Sequence, residues 1–296
     1  MILKGVFAGK PAMFQFLLLL FFLLLGAAFS SVVCSGIFFL LNGTTAGMMN
    51  HPWMMRMMQL GSALGTFLFP ALIVAWLCST APKEYLCVKN GANMKTLLLV
   101  LISMILFSPT ITLTSLMNKQ MVLPSFMAPV ETWMQTQEAL AERLTETLLS
   151  GDGFVVLMSN LIVVALMAGI TEEFFFRGTL QRIFSRWTTN HHVVIWSTAI
   201  LFSAFHLQFY GFLPRMLLGA YFGYLLYWSR NIWVPVFAHF VNNAVAVIGM
   251  SDEKLKANEF ISGDISEAHL PAYTVLAIIT LLMFIACAFR IQKAAK

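Results

Sequence analysis

Long apolar runs separated by short polar ones set the rhythm of this chain. Eight stretches are apolar enough to be membrane spans: 14–41, 60–78, 96–117, 154 into the region of 173, 193–209, 212–228, 232–249 and 272–289. About 20 residues cross roughly 30 Å of hydrocarbon. Backbone groups there have no water to pair with, so helix is the predicted form. Phe and Leu follow one another without the strict alternation of a barrel strand. The expected fold is therefore all-α, a multi-pass transmembrane helical bundle of about eight spans, forming a single membrane domain over 1–296. Lys4 and Lys10 precede a run that reaches Gly26-Ala27-Ala28, as in a secretory signal, but apolar character resumes through Val33 and into 38–41. An uncleaved first span is the expectation.

Two polar excursions interrupt the rhythm. Residues 118–152 carry Glu131, Glu138, Glu142, Arg143 and Glu146 among Trp133, Leu140, Leu144 and Leu148, which suits an amphipathic helix at a membrane interface. Residues 251–270 read as an acidic, irregular loop.

Composition sharpens this picture. Of 296 residues, 59% are hydrophobic and only 10% charged, with a net charge of +5. If the N-terminus is cytoplasmic, that side receives Lys4, Lys10, Lys83, Lys89, Lys95, Arg182, Arg186, Arg230, Arg290, Lys293 and Lys296, and the other receives Arg56, Lys119, Arg143, Arg215, Lys254 and Lys256. Eleven against six favours both termini inside. The positive charge is thus a topology signal, and the implied partners are membrane lipids rather than nucleic acid. The Phe-rich start and short loops suit a bacterial inner membrane. Cys34, Cys78, Cys87 and Cys287 are scattered, with no zinc-ribbon spacing.

Candidate chemistry is confined to a few groups. Charged residues inside apolar segments are functional candidates by default, because each costs roughly 2.5–3.5 kcal/mol on insertion scales. Glu172, Glu173 and Arg177 end the fourth run, and His206 and His239 are the two histidines that fall inside apolar segments. Glu173 and Arg177 are four residues apart and share a helix face. Glu172 lies about 100° round the helix and lacks that partner. An unpaired, buried carboxylate suits general acid or base work near neutrality. Phe202 and His206 have the same spacing, as do His239 and Asn243. For these groups to share a depth, the fourth helix must continue past Arg177 towards Arg186. His51, His191, His192 and His269 fall in polar turns or loops and read as solvated.

The three motifs, Glu172-Glu173-x-x-x-Arg177, Phe202-x-x-x-His206 and His239-x-x-x-Asn243, resemble in order and spacing those of the CPBP intramembrane proteases. That family includes CAAX prenyl endopeptidases and bacterial proteins linked to bacteriocin processing and immunity. The resemblance covers 154–250, the expected catalytic core. It implies that Glu172 and His206 activate a water, that His239 and Asn243 donate to the oxyanion, and that Glu173, Arg177 and Phe202 support them. The family has also been described as metalloproteases, and a zinc set would comprise Glu172, His206 and His239 with a water; no cofactor is required if the glutamate acts directly. The implied activity is endoproteolysis of a membrane-anchored or lipidated substrate, CAAX-type or leader peptide, in a cavity reached from the cytoplasmic side. Two rivals stand beside it: a non-catalytic scaffold or immunity factor, and a proton-coupled transporter with Glu172 and His206 as a relay.

Overall fold

The computed structural model describes residues 3–89 and 91–294, which leaves Lys296 of the charge count outside the described residues. Among the described residues every regular element is helical and none is a strand. The principal helices are α1 (Ala12–Asn42), α2 (Pro52–Cys78), α3 (Met94–Lys119), α4 (Ala128–Leu149), α5 (Phe154–Phe184), α6 (His191–Ala204), α7 (Phe212–Ser229), α8 (Trp233–Met250) and α9 (Leu270–Ala294).

Six of these, α1, α2, α3, α5, α8 and α9, are long and apolar enough to cross a membrane. α7 has the length but is less apolar. α6 is 14 residues long, or about 21 Å at 1.5 Å per residue, and too short to span alone. All eight predicted runs are helical, with two changes of extent. α2 begins at Pro52, where the proline suits a first helical turn. The fifth run does not continue to 209: its helix ends at Ala204, and the chain turns sharply through Leu207 at φ +54°. The amphipathic helix expected in 118–152 is α4, which buries only Met134 and Leu148. The 251–270 segment is less irregular than expected, because Asp252 and Asn258 cap two short helical turns.

Placement follows burial. α1 and α9 expose large apolar side chains such as Leu24, Phe29, Leu276 and Leu282, the distribution expected of helices facing lipid. α5, α7 and α8 form the interior. α5 passes close to α8 at Gly169, where a Cβ would lie 3.3 Å from both the Phe240 nitrogen and the Val236 oxygen. π-helical stretches at Leu161–Met167 and Phe174–Leu180 flank the segment carrying Glu172 and Glu173. Such bulges are frequent at functional sites.

The two ends of the bundle are chemically distinct. The N-terminal segment donates from Gly5 and Phe7 to the Trp76 and Leu77 carbonyls at the end of α2, and Arg186 donates to the Lys10 carbonyl. α9 runs antiparallel to α3, with Cys287 near the Leu99 carbonyl. The first and last described residues, Leu3 and Ala294, therefore lie at one end of the bundle, the terminal end, with Arg182, Arg186 and Arg230. α4, Lys119 and the 251–270 segment lie at the opposite end, where Lys119 meets Asp264.

Candidate active site

Adjacent carboxylates on one helix must point in different directions, and here they meet different partners. Glu173 turns into the bundle. Its Oε1 accepts from Arg177 Nη1 at 2.8 Å and from His239 Nδ1 at 2.8 Å. Both members of the Glu173–Arg177 pair have fully buried side chains. Arg177 Nη2 donates to the Gly219 carbonyl at 2.9 Å, and its guanidinium lies 4.3 Å over the Phe202 ring. The approach at Gly219 is close: a Cβ there would sit 3.2 Å from Nη2 and 3.0 Å from Phe202 Cδ1.

Glu172 faces a cavity instead. Its Oε2 is buried without a hydrogen-bond partner and lies 3.9 Å from both His206 Nε2 and His239 Nε2. His206 is not on α6 but in the turn after it, where its Nδ1 donates to the Phe202 carbonyl at 2.9 Å. With both Nδ1 atoms committed as donors, each neutral imidazole presents the unprotonated Nε2 towards Glu172. Phe222 stacks on His239 at 5.2 Å, and Phe202 packs edge-on against both histidine rings. The turn bearing His206 is anchored from several sides, by Ser203 to Phe212, by Asn118 to Phe209 and Leu213, and by Glu138 to the Tyr210 nitrogen.

Asn243 also lines the cavity, but its Nδ2 already donates to the Val164 carbonyl at 3.0 Å. One amide hydrogen remains for other work. All seven residues singled out from the motifs are thus brought to one region, with Glu172, Phe202, His206, His239 and Asn243 on the cavity wall and Glu173 and Arg177 behind it.

The cavity, of about 610 Å³, contains one residue that sequence reasoning passed over. Arg215 entered there only as a topology charge on the side opposite the termini. It lies on the first turns of α7 and lines the cavity, braced by Gln208 through its main-chain oxygen and, at 2.8 Å, its Oε1. The signal was helical spacing: 215, 219 and 222 share a face of α7, the face that meets Arg177 and His239. The cavity reaches Lys119, Thr145 and Gly263, so it opens at the end of the bundle opposite the chain termini. This corrects the expected approach from the side of the termini.

The zinc set does not fit as a preformed site. Donors on a tetrahedral zinc with bonds of about 2.0–2.1 Å lie roughly 3.3 Å apart, closer than the 3.9 Å found between Glu172 and each histidine. Among the described residues no group of three or more His, Cys, Asp or Glu is arranged to hold a metal ion. The metalloprotease label finds no support in this geometry.

Comparison with known proteins agrees with the family resemblance drawn from the sequence. Residues 154–245, about a third of the chain, match the model of the Rce1-like family, type II CAAX prenyl endopeptidase Rce1-like. The chain is 28% identical over 90 residues to "Uncharacterized protein YpbD" of Bacillus subtilis (strain 168), covering 29% of this chain and 43% of that protein. The chain thus matches less than half the length of this curated relative. No solved structure matches.

Removing one partner from a buried ion pair leaves an uncompensated charge and costs about 3–5 kcal/mol. Arg177→Ala should therefore accumulate poorly in membranes and Glu173→Gln should unfold at lower temperature in detergent, while Glu172→Gln matches the wild type in both. Equal abundance and equal melting of all three would remove the distinction between the two carboxylates.

Proposed function

We propose that this protein is an intramembrane endopeptidase in which Glu172 activates the attacking water. The observation that carries this reading is the unpartnered Glu172 carboxylate, held 3.9 Å from two imidazole Nε2 atoms on the wall of a polar cavity in an apolar bundle. Separations of 3.9 Å are too long for direct hydrogen bonds and suit a bridging water about 2.8 Å from each atom.

The water oxygen attacks the peptide carbonyl carbon while Glu172, aided by His206, takes its proton. The carbonyl oxygen becomes an oxyanion. Asn243 supplies its second amide hydrogen to it, while His239, whose Nδ1 is held by Glu173, helps hold the water by accepting at Nε2. Oxyanion donors of this kind are worth roughly 10²–10³ in rate each. Collapse breaks the C–N bond, and the proton passes from Glu172 to the leaving amine. No step requires a metal.

CAAX-type substrates end in a free carboxylate near the scissile bond. Arg215, braced by Gln208, supplies the charge to receive it. The charge bias puts the chain termini in the cytoplasm, so the cavity mouth faces outwards. The substrate is then a membrane-anchored peptide whose cleavage site reaches the outer interface of a bacterial inner membrane.

Glu172→Gln should lower cleavage by at least about a thousandfold, and peptides that persist in membranes of that strain identify the substrates; undiminished cleavage would remove the proposed base. Activity should survive exhaustive chelation, with no stoichiometric zinc by elemental analysis. Loss on chelation with recovery on zinc would restore the metal reading. Arg215→Gln should raise KM about tenfold for peptides with a free C-terminal carboxylate and leave amidated peptides unaffected; an equal change for both would assign Arg215 to the fold alone. Cysteines introduced at Ser266 and at Ser185 should be labelled by an impermeant reagent from the outside and the cytoplasm, respectively, and the reverse pattern would turn the mouth inwards.

A further inference from the structure

Behind the catalytic ion pair lies a second cavity, of about 330 Å³, at the end of the bundle that holds the chain termini. Its walls come from α5, α6, α7 and the connection between α2 and α3. Arg177, Arg182 and Arg230 line it, and no Asp or Glu does. Arg177 is ion-paired with Glu173, but among the described residues neither Arg182 nor Arg230 has an ion-pair partner. Both are nonetheless placed. The Arg182 guanidinium lies 4.6 Å over the Tyr85 ring, and that of Arg230 lies 5.3 Å over Tyr227. His191 stacks on the same Tyr227 ring at 4.3 Å. Two cations held on aromatic faces, with no carboxylate between them, are preorganised for an anion.

Two independent observations indicate a ligand. Two residues of the lining carry buried polar atoms without partners, the donor Arg177 Nε and the acceptor Gln181 Oε1. The other observation is in the backbone. Three non-glycine residues among those described have positive φ, and two of them, Cys87 at +56° and Arg230 at +49°, line this cavity. Arg230 caps α7 in the left-handed conformation that glycine adopts freely. Retaining arginine there keeps strain that glycine would release, and non-glycine strain of this kind clusters at functional sites.

We propose that this second cavity binds an anionic phosphate ester, the chemistry of a glycerol phosphate or a lipid that carries one, between Arg182 and Arg230. The phosphate oxygens meet the two guanidiniums. The site is separate from the proteolytic cavity and does not depend on the reaction proposed for it.

Native mass spectrometry of the full chain in a neutral detergent tests this, with dioleoyl phosphatidylglycerol and dioleoyl phosphatidylcholine as probes. One phosphatidylglycerol should bind, at least about tenfold more tightly than phosphatidylcholine. Charge-assisted hydrogen bonds contribute enough that each lost arginine should weaken binding about tenfold or more. Arg182→Gln should show that loss, whereas Arg290→Gln, at the same end of the bundle but outside the cavity, should not. Arg230→Gly is the decisive variant, because it should raise the melting temperature in lipid-free detergent while weakening phosphatidylglycerol at least about tenfold. Free glycerol 1-phosphate separates the two sources. Displacement of the lipid at millimolar concentration makes a soluble phosphate ester the occupant, and resistance to it makes the occupant a lipid of that leaflet. Equal binding of the two lipids, unchanged binding by Arg230→Gly, or an equal loss in Arg290→Gln would overturn the proposal.

Discussion

The buried guanidinium of Arg177 constrains most of what surrounds it. A full charge in the interior of an apolar bundle persists only when its donors are paired, since stripping it of water costs several kcal/mol. Arg177 gives one donor to Glu173 and another to the Gly219 carbonyl, and rests on the Phe202 ring. Each contact fixes a helix. Gly219 sets how closely α7 approaches α5, Phe202 orients the end of α6, and Glu173 reaches across to His239 on α8. Coulombic gain and desolvation nearly cancel in such pairs. The pair therefore contributes a unique arrangement of four helices more than it contributes stability.

The asymmetry between the two glutamates follows from that arrangement. Once Glu173 is held by Arg177 and His239, helix geometry turns Glu172 about 100° away, towards the cavity. The same Glu173 oxygen that completes the ion pair accepts the His239 Nδ1 proton, which leaves the Nε2 lone pair facing Glu172. One carboxylate thus sets the tautomer of the imidazole beside the other. Phe174, Phe175 and Phe176 pack into the interior on the side of the termini.

Local spacing made much of this legible from residues alone. Glu173 with Arg177, and His239 with Asn243, are neighbours on a helix whatever the rest of the chain does, and eight apolar runs give eight helices. What was hidden depended on breaks in helical regularity. His206 was expected on α6, yet the helix stops at Ala204 and Leu207 takes a left-handed conformation that a branched side chain does not announce. The two π-helical stretches in α5 each shift the register of its faces, so a constant period of 3.6 misassigns which side meets α8. Arg215 was obscured differently, because a charge a few residues into an apolar run looks like the end of a loop. The direction of the cavity mouth rests on how α4 and the 251–270 segment pack, which is non-local and leaves no periodic trace.

Among the described residues, the non-glycine positive φ angles fall at cavity margins. Leu207 sits between His206 and Gln208 on the margin of the cavity that Glu172 lines, and Cys87 and Arg230 border the second. A helix that continues keeps its polar backbone satisfied internally, whereas opening a polar cavity within the bilayer requires the chain to stop and turn where lipid offers no partners. The turns are affordable only where side chains and neighbouring carbonyls re-satisfy the freed groups, as Ser203, Asn118 and Glu138 do around His206, and as Cys87 does by accepting from the Ile232 nitrogen. Arg177 lies between the two places. It lines the second cavity while its guanidinium packs against Phe202 and Phe222 on the wall of the first. A single buried charge is thus the partition between a polar space that opens at one end of the bundle and another at the opposite end.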